Sequence, residues 1–186
     1  MSDPVPQHVS MAGRVLAAMP TLEDPNFYQT LVFVAEHDGD GALGFVVNRP
    51  LDKLLRDVVQ GAGLAGDLGS VPVYAGGPVQ RERMALALFT PGEKRGSWTC
   101  RLGLPLEQLE AHLQDRRASV RAFAGYAGWA AGQLDREIAH GSWKVCRPDA
   151  TLFKPHLVAG LWPFFISGDA RWKSLLPHLP RETERN

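Results

Sequence analysis

Strand and helix signals alternate along the whole of this 186-residue sequence, one hairpin stands out, and no change of composition marks a linker. These observations predict a single mixed α/β domain whose sheet is not all parallel, because a hairpin joins antiparallel strands. Hydrophobic residues at 45% and charged ones at 22% sit near the globular average. A chain of this length buries roughly 70% of the surface it exposes when unfolded, so it needs neither metal nor disulfide to fold.

Residues 1–11 read as a disordered leader, 12–180 as the domain and 181–186 as a polar tail. Residues 13–19 form a short apolar run stopped by Pro20. Asp24-Pro25 predicts a helical turn, with Asp as the cap and Pro at the first position. The β-branched and aromatic run over residues 30–36 predicts a buried strand, paired with residues 42–48 through the turn His37-Asp38-Gly39-Asp40-Gly41.

Leu51, Leu54, Leu55, Val58, Val59 and Ala62 recur at helical spacing and predict an amphipathic helix, followed by a glycine-rich flexible loop over residues 61–69. Strands follow at 71–74, 84–89 and 98–102, a helix at 105–115, a strand at 120–126 and a helix at 130–140 ended by Gly141. Residues 143–146 and 151–153 read as short strands. Residues 161–166 read as one more, confined to an edge or bulge by Pro163. A last helix begins at Ser167 or Asp169, with Trp172, Leu175, Leu176 and Leu179 as its apolar stripe.

Charge weighs against some functions. Lys and Arg together number 20, as do Asp and Glu, so the net charge is zero, and the densest basic stretch (Arg116, Arg117, Arg121) is short and has Asp115 beside it. That balance argues against direct nucleic-acid binding. Cys100 and Cys146 are too few for a disulfide framework or zinc site and read as buried thiols. The first ten residues lack an apolar signal core, and no run reaches the roughly 18 apolar residues of a membrane span. The cytoplasm is therefore the expected location, with no membrane partner.

The loudest motif is Gly39-Asp40-Gly41-Ala42-Leu43-Gly44, which matches the dinucleotide fingerprint. In that fingerprint the third glycine lies in a helix over the pyrophosphate; here Phe45-Val46-Val47 follows, so the motif reads as a hairpin turn. Asp38-x-Asp40-Gly41 resembles a calcium loop, yet residues 46–51 supply no further carboxylate. Glu36 and His37 fall on opposite faces of a strand, and the other histidines show no ligand spacing, so no metal is expected. A nucleophile elbow and a P-loop are both missing, and no cofactor is implied. Two glycine-rich segments remain. Tyr74-Ala75-Gly76-Gly77-Pro78 is either an anion-holding nest or a tight turn. Residues 125–134 either approach a ligand or let Tyr126 and Trp129 pack under the sheet.

Several segments, in order, carry a resemblance. They are Ala18-Met19-Pro20 with Asp24-Pro25-x-Phe27, Val34-Ala35-Glu36-His37 with Gly41-Ala42-Leu43-Gly44, and Val47-Asn48-Arg49-Pro50-Leu51. Further on stand Gly76-Gly77-Pro78-Val79, Gly125-Tyr126-Ala127-Gly128-Trp129, Gly132-Gln133-Leu134-x-x-Glu137-Ile138, Trp143 and Trp172. The chain thereby resembles the YqgE/AlgH family from about residue 13 to 178. The resemblance implies an α+β fold, with a mixed, largely antiparallel bifurcated sheet curled into a partial barrel and helices packed outside. It implies no established activity. The transcriptional-regulator label that some members carry finds no DNA-reading element in this sequence. Ala131 departs from the proline common near the start of that helix, which loses a pre-set first turn and touches no chemistry.

Motifs rich in Gly, Pro, Trp, Asn and Arg, without pairs of catalytic groups, favour a binding or regulatory module for a small anionic ligand or a protein partner. Its groove would draw on Glu36, His37, Asn48, Arg49, Gly76, Gly77, Trp129 and Gln133, with Arg49 as the anion partner because its planar fork suits carboxylate or phosphate. The rival is a hydrolase-type enzyme with His37 as base and Glu36 or Glu137 as its partner. A third reading is transcriptional regulation, direct or indirect.

Overall fold

Among the described residues nine strands form one mixed sheet that forks and curls into a half-barrel. The structure is a computed structural model and describes residues 9–59, 66–154 and 158–168. The hairpin sits at its centre. Strands β1 (Val15–Ala18), β2 (Leu31–Asp38) and β3 (Gly41–Val46) pair antiparallel in the order β3-β2-β1, with Gly39 and Asp40 as the turn. The Asp38 carboxylate accepts the Asp40 N–H at 2.9 Å, which holds the reversal. Gly44 stays in the strand and opens no helix, so the dinucleotide fingerprint is a turn.

Next come β4 (Pro50–Leu54), α1 (Leu55–Val58), a 3₁₀ turn over Gly66–Ser70, β5 (Pro72–Ala75), β6 (Val79–Pro91) and β7 (Trp98–Leu102). Helix α2 (Leu106–Ala111) leads to a long inner strand, β8 (Ser119–Ala130). Helix α3 (Gln133–Ala139), β9 (Trp143–Cys146) and α4 (Trp162–Ser167) complete the described elements.

Strand β8 makes the fork. It pairs antiparallel with β6 and parallel with β5 over its first part, and its last four residues pair with β3 instead. The change of partner falls at Gly125, whose backbone is left-handed (φ +72°); a Cβ there would press on the carbonyl oxygens of Gly77 and Val79 at 2.6 and 2.7 Å. The curled sheet encloses a core of rings in which Phe45 stacks on Phe123 at 4.6 Å and Phe33 meets Phe89 edge-on at 5.2 Å. The α+β class and the forked, curled sheet implied by the resemblance are the ones found. Among the described residues no helix is long and apolar enough to cross a membrane.

Several elements differ from expectation. Residues 51–54 are strand, because Pro50 and Leu54 pair with Tyr74 and Pro72 and leave Leu51 40% exposed; among the described residues of this stretch the helix is Leu55–Val58. Asp24-Pro25 opens a turn over residues 25–29, as expected, with the Asp24 carboxylate accepting the Asn26 N–H at 2.8 Å. Helix α3 starts three residues later than expected, since Ala130 remains paired to Gly41. Residues 151–153 form a 3₁₀ turn capped by Asp149, which accepts the Thr151 N–H at 3.1 Å. Residues 162–167 form a helix with Pro163 in its first turn, where the missing N–H costs nothing. Leu68, expected in a flexible loop, is buried within a 3₁₀ turn. Ser10 and Met11, expected in the leader, are hydrogen-bonded to His37. Arg121 belongs to no surface stretch: it is fully buried, donating to the carbonyls of Val47 and Leu152 with its guanidinium 4.5 Å above the Tyr74 ring. The glycines at 61 and 63, the last helix after residue 168, the polar tail and Trp172 lie outside the described residues.

Candidate functional site

A cavity of about 380 Å³ opens where three irregular segments meet. The first is the turn over residues 25–29. The second is a bulge in β4: Pro50 pairs with Tyr74 and Leu54 with Pro72, so residues 51–53 have no partners and stand out from the ladder. The third is a bulge in β6: Val79 pairs with Tyr126 and Met84 with Ala124, so residues 80–83 loop out opposite Gly125 alone. Asn26, Arg49, Leu51, Gly77 and Arg81 are among the residues that line the cavity.

Each of these segments carries backbone strain. Gln29, Asp52 and Gln80, at φ 53°, 50° and 51°, are the three non-glycine residues with left-handed backbone among the described residues. Each costs on the order of 1 kcal/mol and persists only where the surroundings impose it. Asn48, 6% exposed, imposes part of it: its Oδ1 accepts the Leu31 N–H at 2.8 Å and its amide donates to the Gln29 carbonyl at 2.9 Å.

Two guanidinium groups face this cavity. Arg49 is anchored, donating to the carbonyls of Asn26 at 2.7 Å and Tyr28 at 2.8 Å. Arg81, exposed on its bulge, donates to the Asn26 side-chain oxygen at 2.5 Å. Asn26 therefore links the two arginines, one through its backbone and one through its side chain. Burial, and then the charge of Arg81, lower the pKa of Arg49. Asp52 and Glu82 stand in the two bulges, yet among the described residues no carboxylate comes within ion-pair distance of either arginine. A pocket with two such cations is suited chemically to an anion.

The other expected site residues divide among separate places. Gly76 and Gly77 are a close crossing: a Cβ on either would overlap the backbone of β8, at Gly125 and Tyr126 respectively, and only Gly77 also lines the cavity. Trp129 and Gln133 belong to a clasp around Glu137. One Glu137 oxygen accepts the indole N–H groups of Trp129 at 2.9 Å and Trp143 at 2.8 Å, and the other accepts the Gln133 amide at 2.8 Å. Phe27 closes the clasp, stacked on Trp129 at 6.3 Å and edge-on to Trp143 at 5.3 Å. The clasp ties β8, α3 and β9 together.

Glu36 is exposed while His37 is 6% exposed, which is the alternation expected of a strand. His37 Nδ1 accepts the Met11 N–H at 3.0 Å, which leaves the ring proton on Nε2, and Nε2 faces Asp135 at 3.6 Å. The carboxylate beside His37 is thus Asp135. Of its two expected partners, Glu36 is exposed and Glu137 holds the two indoles.

Sequence reasoning missed Asn26 and Arg81. Residues 81–83 precede the strand expected at 84–89, and only the register against β8 shows that they bulge over a cavity. A second cavity, of about 480 Å³, has Asp67, His112, Gln114 and Ser119 among its lining residues. Three of them bond to protein neighbours, Gln114 to Asp67 at 3.1 Å and His112 to Arg101 at 3.5 Å. Among the described residues no three His, Cys, Asp or Glu side chains come together in a way that could hold a metal ion.

Comparison with known proteins gives one consistent answer. A family model described as AlgH-like matches residues 15–176. A UPF0301 protein of Hahella chejuensis is 36% identical over 154 residues, covering 77% of this chain and 80% of its own. One from Anaeromyxobacter dehalogenans is 43% identical over 152 residues, covering 72% and 75%. The solution structure of the AlgH protein of Pseudomonas aeruginosa superposes with a TM-score of 0.62 at 28% identity, over 94% of this chain and 97% of that one. A crystal structure from Corynebacterium diphtheriae shares the fold at 20% identity and the same TM-score, over 91% and 92%.

Proposed function

The chain belongs to the AlgH-like family, and from that premise, with the two-arginine cavity beside it, we propose that it is a non-enzymatic binding or regulatory module for a small anionic ligand. The single observation that carries this reading is the pairing of Arg49 and Arg81 across one cavity without a carboxylate among the described residues to neutralise them. The three strained residues around the cavity support it, because strain gathers where a binding surface over-determines the backbone. The hydrolase reading draws less support. Its base, His37, has a side chain 1% exposed and does not line the cavity.

Thermal unfolding of the full chain against a panel of nucleotides, phosphates and carboxylates tests the reading. A ligand that binds the folded state raises the midpoint by mass action. Arg81→Ala is expected to abolish the shift while leaving the unliganded midpoint close to that of the wild type, since Arg81 is exposed and held by one side-chain bond. Arg49→Ala is expected to abolish the shift too, at some cost in stability. Shifts that survive in both variants would remove the ligand from this cavity. A gel shift at low salt that fades steeply as salt rises would favour direct DNA contact instead.

A further inference from the structure

We infer that the ligand is a small phosphate monoester, its dianionic group gripped by Arg49 and Arg81 and its organic body laid against the apolar wall of the same cavity. The inference rests on the anion-binding reading above and narrows it. Charge is the first argument. Two guanidinium groups share the cavity, and the neighbouring Asp52 and Glu82 pair with neither. A monocarboxylate would balance one cation and leave the other facing it. A phosphate monoester near neutral pH carries about −1.5 to −2 charges and three acceptor oxygens, and balances both.

Donor geometry is the second. Arg49 commits one N–H of each terminal nitrogen to a backbone carbonyl, which holds its plane still. Of its five N–H bonds the rest are available to a ligand. Among the described residues Arg81 is held through Asn26 alone, and it can swing from that oxygen to a bound phosphate. The pair is thus a fixed jaw and a movable one, hinged on Asn26. A phosphate group has three oxygens to share between the two guanidinium groups, where a carboxylate has two.

Shape is the third. Val46, Leu51, Ala75, Pro78 and Ala124 line the cavity beside the arginines. Leu51 is 40% exposed because its bulge carries it out of the ladder. A volume of about 380 Å³ lies at the small end of ligand pockets, which fits a metabolite-sized ester and not a polymer.

Isothermal titration of the full chain with phenyl phosphate, inorganic phosphate and benzoate decides the matter. Phenyl phosphate is expected to bind at least about tenfold tighter than benzoate near pH 7.5, and to weaken several-fold near pH 5.5, where the ester passes to its monoanion. Inorganic phosphate is expected to bind more weakly than the phenyl ester, since it leaves the apolar wall uncovered. Asn26→Asp keeps the backbone carbonyl that anchors Arg49 and gives Arg81 an internal carboxylate. It is expected to weaken phenyl phosphate about tenfold while thermal unfolding stays near the wild-type midpoint. Benzoate binding as tightly as phenyl phosphate at both pH values would overturn the phosphate assignment and leave the anion pocket standing. Inorganic phosphate matching the phenyl ester would overturn the assigned organic body. Failure of all three probes to bind would remove the pocket reading itself.

Discussion

Glu137 is half-hidden and carries one charge, yet it accepts three side-chain hydrogen bonds from two strands and its own helix. Hydrogen bonds to an ionised acceptor contribute about 1.5–3 kcal/mol. Glu137→Gln keeps the shape and removes the charge, so we expect a loss of about 1–3 kcal/mol in urea unfolding followed by tryptophan emission. A loss below about 0.5 kcal/mol would show that the clasp is incidental. Trp129, Gln133 and Trp143 are visible in the sequence as an ordered motif, and so is Glu137. What the motif cannot say is that these side chains spend their donors on one another, which takes them out of any ligand groove. Arg121 teaches the same lesson in reverse. Its neighbours Arg116 and Arg117 suggest a surface stretch, while burial among Tyr74 and Phe153 lowers its pKa to about 10. Among the described residues the Tyr74 hydroxyl and Arg121 Nε find no hydrogen-bond partner.

At the level of elements, glycines separate those that turn the chain from those that let chains cross. Gly39 lies in the hairpin turn with open space where a Cβ would go and no left-handed backbone, whereas a Cβ at Gly77 would overlap Tyr126. Gly39→Ala is expected to change stability by less than about 0.5 kcal/mol, while Gly77→Ala is expected to cost more than about 2 kcal/mol by forcing β5 and β8 apart. Equal effects in a thermal melt would refute the crossing. Strands were legible where β-branched and aromatic residues run together, as in β2, and β7 lies at the expected residues. Residues 51–54 misled because leucines at helical spacing also occur in a bulged edge strand, where the bulge restores the spacing by accident. Residues 162–167 misled for another reason: a proline in an apolar run fits an edge strand and a first helical turn equally well.

For the molecule as a whole, curling the sheet buries groups whose ionisation then couples to folding. Burial, and then the charge of Glu36, push the Cys100 thiol from 9.0 up to about 12, and burial raises Cys146 as well. A folded pKa above the unfolded one means stability is complete below pH 9.0 and falls as pH rises toward 12. The slope for one thiol is at most about 1.4 kcal/mol per pH unit. Cys100→Ala is expected to flatten the fall in unfolding midpoint just above pH 9, before the depressed Arg121 begins to act in the opposite sense near 10. An unchanged alkaline slope would place the loss elsewhere. Composition, the hairpin and the ordered motifs were enough to settle the α+β class and the family resemblance, because hydrophobic period and turn chemistry are local properties of a chain. Where β8 changes partners, which strands bulge, and hence which arginine comes to stand opposite Arg49, depends on register between segments distant in sequence, such as β6 and β8. Only packing in three dimensions decides register, so the second arm of the pocket had no local signal to read.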